Sequence, residues 1–325
     1  MPAPAAKLRY PHARVLLGRT KLAYVHLRNL LTDAKRDRTA RVAGYVAIWL
    51  LEEFLVLFLR EGEVVNAVRA TQRGNEAIAI SSALARVPAE PEFGEIAFYE
   101  APVELLACIY HTLLVPADPW PAGFAAGDPR MLFPYLRGAK FCGVVEVVNR
   151  DTANYLVLQD GLIEQTFVVD DHGSGRTEQL SRVFGPESAH LKARVAAWRG
   201  PMHMPTQAPA ALVSAYRELI ERMYAELGSY GVPVPSAVGE RVRDALLRQY
   251  PALSRFAAGS RHEDPSEDGQ EVTAGVAAWV TDTAREALDG DEDAARRVVG
   301  EAARERRHML HAAGFLSALP WELEW

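Results

Sequence analysis

The feature that most constrains the fold is an apolar run, residues 43–59, with two adjacent glutamates at its middle. The run is about as long as a membrane span, but Glu52 and Glu53 would each cost about 2.5 kcal/mol or more at the centre of a bilayer. A turn between two strands leaves both carboxylates in water without that cost. Because β-branched, aromatic and leucine residues flank the pair, the stretch 44–67 predicts a β-hairpin that turns again at Glu61-Gly62 and begins a third strand.

A second copy of this pattern begins 99 residues later. The positions that agree are glycines and alternating apolar residues: Gly143, Val145, Val147, Leu156, Leu158 and Gly161 align with Gly44, Val46, Ile48, Leu57, Leu59 and Gly62. Two interpretations are open, a duplicated module or coincidental strand patterning in two unrelated hairpins.

The remaining elements follow from periodicity and from helix start and stop signals. In the first half we expect a strand at 15–17, helices at 24–38, 76–86 and 103–114, and a strand at 94–99. In the second half we expect helices at 209–227, 236–249, 273–288 and 291–313.

These elements predict an α+β fold with antiparallel β-hairpin and helix modules followed by an α-helical C-terminal domain. The expected domains are an α/β module at 1–115, a linker rich in Pro and Gly at 116–130, a second β module at 131–185 packed on the first, and the helical domain at 186–325.

Between residues 20 and 100, glycines and apolar residues follow a defined order. The order is Leu30-Leu31, Gly44-x-Val46-x-Ile48, Leu57-Phe58-Leu59, Gly62-x-Val64-Val65-x-Ala67, Gly74-x-x-Ala77 and Gly94-x-Ile96-x-Phe98. This order resembles the PATAN type of bacterial domain of unknown function, which is associated with response regulators and surface motility. The resemblance implies a protein-interaction role, and the family offers no established catalytic residues to carry over.

The second copy departs from that pattern. Thr166 stands where the first copy has Ala67, and no Gly-x-x-Ala helix or closing strand is evident after it. We therefore expect a degenerate second module at about 131–170.

Composition and cysteine usage indicate a globular cytoplasmic protein. A hydrophobic content of 49% is enough for one or two cores. Residues 1–18 lack the uninterrupted apolar core of a secretory signal. Cys108 and Cys142 lie among apolar neighbours, which indicates small buried side chains and not a disulfide or a metal site.

Charge is distributed unevenly along the chain. Residues 1–43 carry ten Lys and Arg against Asp33 and Asp37, a net charge of +8, so the remainder must carry −14 to give the total of −6. A basic leader on an acidic body indicates either an acidic partner, a nucleic acid or a lipid surface, or a solvated helix face with pairing within the molecule. No base-stacking aromatic residues lie among the basic ones, so nucleic acid is not expected.

Two groups of residues are candidates for binding a protein partner. They are the basic Lys35, Arg36, Arg38 and Arg41 and the terminal Trp321 and Trp325. The two tryptophans have an alternative role as a cap over the helical core.

One apolar stripe in the helical region has two possible uses. The stripe is Val213, Tyr216, Ile220, Met223 and Leu227, at coiled-coil spacing over two heptads. It predicts either packing within the domain or a homodimer interface.

No pattern of reaction chemistry emerges, so the sequence predicts no catalytic residue, no metal site and no cofactor. Glu301, Glu305 and His308 share a helix face, but neighbouring arginines explain them by charge pairing. His172 follows two aspartates without a hydrolase signature. The segment 173–176 lacks the spacing and the lysine of a phosphate loop. Met202-His203-Met204 has the donor atoms for copper or haem iron, but its place between two prolines is explained more simply by a loop.

The sequence therefore favours a cytoplasmic, non-enzymatic interaction or scaffold protein of bacterial signalling or surface motility. The alternative is a regulatory domain that senses a small ligand in an apolar cleft between the two repeated hairpins. A metal-assisted hydrolase that uses His172 or His308 is the least favoured of the three.

Overall fold

In a computed structural model of the chain, the described residues are 4–36, 41–88, 92–171, 173–185, 193–257 and 266–323, with Arg36 described by its backbone alone. Two compact units make up the chain, Met1–Met204 and Pro205–Trp325. Within the described ranges the strands belong to the first unit, and the second unit is helical. The predicted α+β class is confirmed.

The first unit contains a six-stranded antiparallel sheet built around the predicted hairpin. Its strands are β1 (Arg14–Lys21), β2 (Gly44–Trp49), β3 (Phe54–Arg60), β4 (Glu63–Thr71), β5 (Gly74–Ala77) and β6 (Glu95–Glu100). Their order is β1-β6-β2-β3-β4-β5. Glu52 and Glu53 lie in the connection between β2 and β3, as expected, so the apolar run forms two strands and not a membrane helix.

A four-stranded antiparallel sheet follows in the same unit. Its strands are β7 (Gly143–Asn149), β8 (Thr152–Gln159), β9 (Leu162–Phe167) and β10 (Arg194–Arg199), in the order β10-β7-β8-β9. The α-helices in the described part of the unit are α1 (Leu27–Arg36), α2 (Ile80–Ala85), α3 (Val103–Leu114), α4 (Pro129–Gly138) and α5 (Arg176–Phe184).

The two sheets repeat one another at the offset of 99 residues. The order β6-β2-β3-β4 matches β10-β7-β8-β9. In both copies the second turn has positive φ at two successive residues, 52° and 78° at Glu61 and Gly62, and 51° and 75° at Asp160 and Gly161. The strand register also shifts at equivalent places, between Phe58 and Leu59 in β3 and between Val157 and Leu158 in β8. The internal match is therefore a structural repeat.

Three buried clusters define how the layers of this unit stack. The inner cluster combines both sheets with α3 and includes Tyr45, Phe58, Leu106, Tyr155 and Trp198. A second cluster lies between the first sheet and α1 and α2, and a third lies between the second sheet and α4 and α5. The layer order is thus helices, sheet, α3, sheet, helices.

A segment before β1 joins the two sheets. The Arg9 N–H donates to the Asp151 carbonyl at 2.6 Å, and the Ala153 N–H donates to the Arg9 carbonyl at 3.0 Å, which binds the segment to the β7–β8 turn. On the other side, the Tyr45 hydroxyl donates to the Tyr10 carbonyl at 3.2 Å. The segment therefore forms one wall of the inner layer.

Part of the helix expected at 76–86 is a strand. Residues Gly74–Ala77 form β5, which pairs with β4, and the helix begins only at Ile80. The two-residue turn between Thr71 and Gly74 brings this segment beside β4, and the ladder hydrogen bonds outweigh its local helix signal.

The second module is more complete than the sequence indicated. A helix, α5, and a closing strand, β10, follow β9, and β10 pairs with β7 along its whole length, from Arg194 opposite Val148 to Arg199 opposite Gly143. The first unit consequently extends to Met204, beyond the expected boundary at residue 186. The sequence Arg194–Arg199 contains two alanines and charged ends, which gives a weak strand signal on its own.

The second unit is a group of α-helices. They are α6 (Ala210–Ser229), α7 (Pro235–Leu246), α8 (Gly269–Ala287), α9 (Glu292–Ala303), α10 (Arg307–Ala312) and α11 (Phe315–Ala318), with 3₁₀ turns at Pro251–Phe256 and Arg304–Arg306. The single helix expected at 291–313 is interrupted by the second of these turns. None of the helices in the described parts of the chain has the length and apolar character that crossing a membrane requires.

The core of the second unit is built around two aromatic side chains with satisfied polar groups. Trp279 is 2% exposed, and its Nε1 donates to the Gly239 carbonyl at 2.7 Å. The Tyr216 hydroxyl lies 2.7 Å from Oγ1 of Thr273, and the Tyr216 ring contacts Phe315. Both polar atoms are therefore buried without losing a hydrogen bond.

Candidate functional site

A cleft of about 860 Å³ opens between the second sheet, the end of α3 and the segment before β1. Its wall on the sheet side consists of the inner face of β7 and β10, with Glu146, Val148, Arg194, Ala196 and Trp198. The opposite walls include Tyr10, Asn75, Thr112 and Leu113. The cleft lies wholly within the first unit.

Glu146 is the unusual residue of this cleft. It belongs to β7, where it faces Ala196 on β10 and Tyr155 on β8, and only 8% of it is exposed. The Tyr155 hydroxyl donates a hydrogen bond to the Glu146 carboxylate and lies 3.4 Å from Oγ1 of Thr112. A carboxylate almost never lies this deep in a protein without a charged partner at contact distance.

The surroundings of Glu146 raise the pKa of its carboxyl group. Burial is the largest effect and raises the pKa of Glu146, while the nearby Arg194 guanidinium and the Tyr155 hydroxyl oppose the rise. Burial likewise raises the pKa of Tyr10 and of Tyr155, and the Glu146 charge adds to both increases. The site therefore holds a proton on the carboxyl group more tightly than water does.

The first repeat lacks this polar group. At the offset of 99 residues, Ala47 occupies the place of Glu146, and Val56 occupies the place of Tyr155. Both of these apolar residues are 2% exposed and pack in the inner cluster. The fold is thus compatible with an apolar pair at these positions, and the Glu146–Tyr155 pair is specific to the second repeat.

We expect Glu146→Gln to stabilise the first unit at neutral pH by about 1–3 kcal/mol, the range for burying an uncompensated polar group. Because the folded-state pKa of Glu146 is raised above its unfolded value of about 4.3, the wild-type protein loses stability as pH rises from the unfolded pKa through the folded one. Glutamine does not titrate. Urea unfolding at pH 4 and pH 7 should show the difference between variant and wild type growing with pH.

The control for this measurement is Glu164→Gln, the same change at an exposed position of β9. It should shift stability by less than about 0.5 kcal/mol at either pH. A Glu146→Gln difference that stays constant or shrinks as pH rises would mean that the carboxyl group is not buried as described.

The basic residues proposed for partner binding form pairs inside the molecule where they are described. The Lys35 ammonium lies 2.6 Å from Glu63, and the Arg41 guanidinium lies 2.7 Å from Glu61. Such exposed pairs contribute little to stability. The side chain of Arg36 and the whole of Arg38 lie outside the described residues.

The two other candidate sets have different outcomes. Trp321 is half-buried against the core of the second unit, its indole N–H donates to Glu292, and Arg285 lies 5.5 Å from its ring. It caps the helices. Trp325 lies outside the described residues.

The proposed homodimer stripe is a core element of its own unit. Its members Val213, Tyr216, Ile220, Met223 and Leu227 are between 0% and 6% exposed. Residues of α8 and α9 belong to the same cluster and cover the stripe. The homodimer through these residues is therefore wrong, because the apolar face is already buried.

Of the residues considered for metal binding or catalysis, Glu301 and Glu305 form ion pairs with arginines. Glu301 pairs with Arg304 at 3.0 Å, and Glu305 pairs with Arg222. His172 lies outside the described residues. Across the described ranges, no group of three His, Cys, Asp or Glu side chains could hold a metal ion.

Cys108 is buried as expected, but Cys142 is only partly buried, and its sulfur accepts a hydrogen bond from the Asp160 N–H at 3.3 Å. Met204 is 1% exposed in the inner cluster, and Met202 packs against the same cluster. Cys108 and Cys142 are free thiols, and burial raises the pKa of Cys108 to about 12. A thiol with that pKa is not a nucleophile at neutral pH.

Sequence reasoning considered an apolar cleft between the two repeated hairpins but did not single out Glu146, although the internal match contained the signal. Because Glu146 aligns with Ala47 on the inward-facing side of a strand, the alignment predicts that the glutamate side chain is buried. We found no matching family model, no matching curated protein and no matching solved structure for this chain.

Proposed function

We propose that this protein is a non-enzymatic regulatory protein whose first unit binds a small ligand in the cleft that contains Glu146. The single observation that supports the proposal is a carboxylate, 8% exposed, that lines an open cleft without an ion-pair partner among the described residues. Deeply buried carboxylates of this kind are concentrated at functional sites.

The free energy that the fold loses by burying the Glu146 carboxylate supports the same proposal. The equivalent alanine and valine of the first repeat pack without polar atoms, so the fold does not require a carboxyl group at this place. A ligand that donates hydrogen bonds to Glu146 would offset its desolvation, and the stability lost in the free protein would return as binding free energy. The volume of about 860 Å³ falls within the range of small-molecule sites.

Thermal unfolding in the presence of a panel of nucleotides, amino acids, sugars and organic acids tests this function. A ligand at one hundred times its Kd stabilises the folded state by about 2.7 kcal/mol. The variant Ala196→Trp fills the cleft beside Glu146 and should abolish the shift, whereas Ala139→Trp, at an exposed position after α4, should keep it.

Glu146→Gln provides a second variant that needs no change of volume. A panel compound should stabilise the wild type and the Ala139→Trp protein but have a weaker effect on Glu146→Gln. If no compound raises the unfolding temperature, or if Ala196→Trp responds as the wild type does, the ligand-binding proposal fails.

A second candidate function, a protein-interaction or scaffold role in bacterial signalling or surface motility, is favoured by a different surface. Leu51 is 76% exposed and Phe93 is 65% exposed, and both line a groove of about 1010 Å³ at one end of the first sheet. The same groove contains Arg73 and Arg86. Exposed apolar side chains beside arginines are typical of interaction surfaces.

Crosslinking in the host at native abundance tests this second role. The double variant Leu51→Ser/Phe93→Ser should lose a partner that the wild type recovers, while Leu162→Ser, at another exposed leucine, should retain it. Equal recovery by all three proteins, or by none, counts against the interaction surface.

A further inference from the structure

The charges of the cleft are separated by depth, and this separation constrains the ligand that the proposed function requires. Glu146 lies in the wall at 8% exposure, whereas the three basic residues of the lining, Lys7, Arg150 and Arg194, are exposed. None of the three forms an ion pair with another described residue. The cleft thus presents a hydrogen-bond acceptor in its wall and positive charge at its rim.

Each end of the cleft selects a different chemical group. Arginine and lysine side chains at a rim bind phosphate, and the guanidinium groups can do so with two hydrogen bonds each. An ionised carboxylate accepts hydrogen bonds and has no proton to donate, so its ligand partner is an N–H or O–H donor. Between them the lining is apolar and aromatic, with Leu8, Leu113 and Trp198.

The volume and the charges of the cleft exclude several classes of ligand. An amino acid carries both an amine and an anion but would fill only a small part of about 860 Å³. A polyamine would suit Glu146 and would be repelled by the rim, and a fatty acid would leave Glu146 without a donor. A ligand with a flat ring, N–H groups on that ring and a phosphate fits all three parts of the cleft. The N–H groups match the acceptor in the wall, the ring matches the apolar lining, and the phosphate matches the basic rim.

We propose that the occupant of the cleft is a guanine-type nucleotide, whose base donates N–H groups to Glu146 and whose phosphate lies among Lys7, Arg150 and Arg194. The proposal rests on the proposed ligand-binding function and specifies its ligand. Guanine is the base considered because its N1–H and N2 amino group lie side by side, so a single carboxylate can accept from both.

Isothermal titration of the full chain with guanosine monophosphate tests the proposal. Adenosine monophosphate has no N1–H and should bind at least tenfold more weakly, and guanosine has no phosphate and should also bind at least tenfold more weakly. Glu146→Gln should weaken the binding of guanosine monophosphate by about tenfold or more, so that guanosine monophosphate and adenosine monophosphate bind with nearly equal affinity. The control Glu164→Gln should bind as the wild type does.

The rim is tested separately with the double variant Arg150→Ala/Arg194→Ala. This variant should bind guanosine monophosphate at least tenfold more weakly than the wild type does and should bind guanosine with the same affinity. The control Arg137→Ala, at an exposed arginine of α4, should change neither affinity. Increasing salt should weaken the nucleotide more than the nucleoside, because only the former uses the rim charges.

Two failures are distinguishable. If the guanine and adenine nucleotides bind equally, or neither binds while another panel compound stabilises the wild type and not Ala196→Trp, the nucleotide assignment is overturned and the ligand-binding function stands. If no panel compound distinguishes the wild type from Ala196→Trp, both are overturned.

Discussion

Gly161→Ala is expected to destabilise the first unit by about 3 kcal/mol or more. The residue has φ of +75°, where a side chain costs about 1–2 kcal/mol. An added Cβ would also lie 2.4 Å from Cα of Arg137 in α4, so the helix and the turn would have to separate, at a further cost of about 1–3 kcal/mol. Urea unfolding measures the total, and hydrogen exchange of peptides from β7, β8 and β9 identifies the unit affected.

Two other glycines provide the controls for this prediction. Gly62→Ala should have a similar effect in the first repeat, because its Cβ would lie 2.4 Å from the carbonyl oxygen of Ala34 in α1. Gly123 has nearly the same φ, +74°, but no atom lies within 4 Å of its added Cβ. Gly123→Ala should therefore cost only about 1 kcal/mol. Equal effects at Gly161 and Gly123 would show that the turn does not touch the helix.

Trp279→Ala should destabilise the second unit by about 3–5 kcal/mol, the range for removing a buried aromatic side chain. The substitution leaves a cavity among α7, α8 and the 3₁₀ turn at Pro251–Phe256, where Trp279 contacts Phe256. It also leaves the buried Gly239 carbonyl without the indole donor. Hydrogen exchange should increase in peptides from α7 and α8.

Trp321→Ala provides the matched comparison, since it removes the same side chain from a half-buried place. We expect a loss of about 1 kcal/mol, because part of the ring is already in contact with water. If Trp321→Ala were as destabilising as Trp279→Ala, the terminal tryptophan would be a core residue and not a cap.

Much of the fold was predictable because local periodicity and burial agree over long stretches. Helix α3 has the predicted bounds Val103–Leu114, and the strands around Glu52 and Glu53 follow from the apolar alternation. The stripe from Val213 to Leu227 was correctly placed on a helix, α6. Its use was not predictable, since a helix face that packs within its own unit has the same spacing as one that packs against a second chain.

The errors lie where pairing between distant residues decides the structure. Strand β10 has little strand propensity of its own. It forms because it pairs with the edge of β7, which lies about fifty residues earlier in the chain. Strand β5 has a helix-like sequence but follows a tight turn that delivers it to β4. The cleft belongs to the same class, because Glu146 becomes a buried charge only when α3 and the segment before β1 cover its face of the sheet.

The packing of both sheets on helix α3 bears on how many repeats this fold can contain. Many repeat proteins are open arrays, in which each unit leaves a face for the next one to cover. Here, in the described part of the first unit, each sheet packs one face on α3 and the other on its own pair of helices, so both faces of both sheets are covered. The arrangement is therefore a pair of repeats whose sheets share one helix, and the Glu146 cleft lies beside the end of that helix.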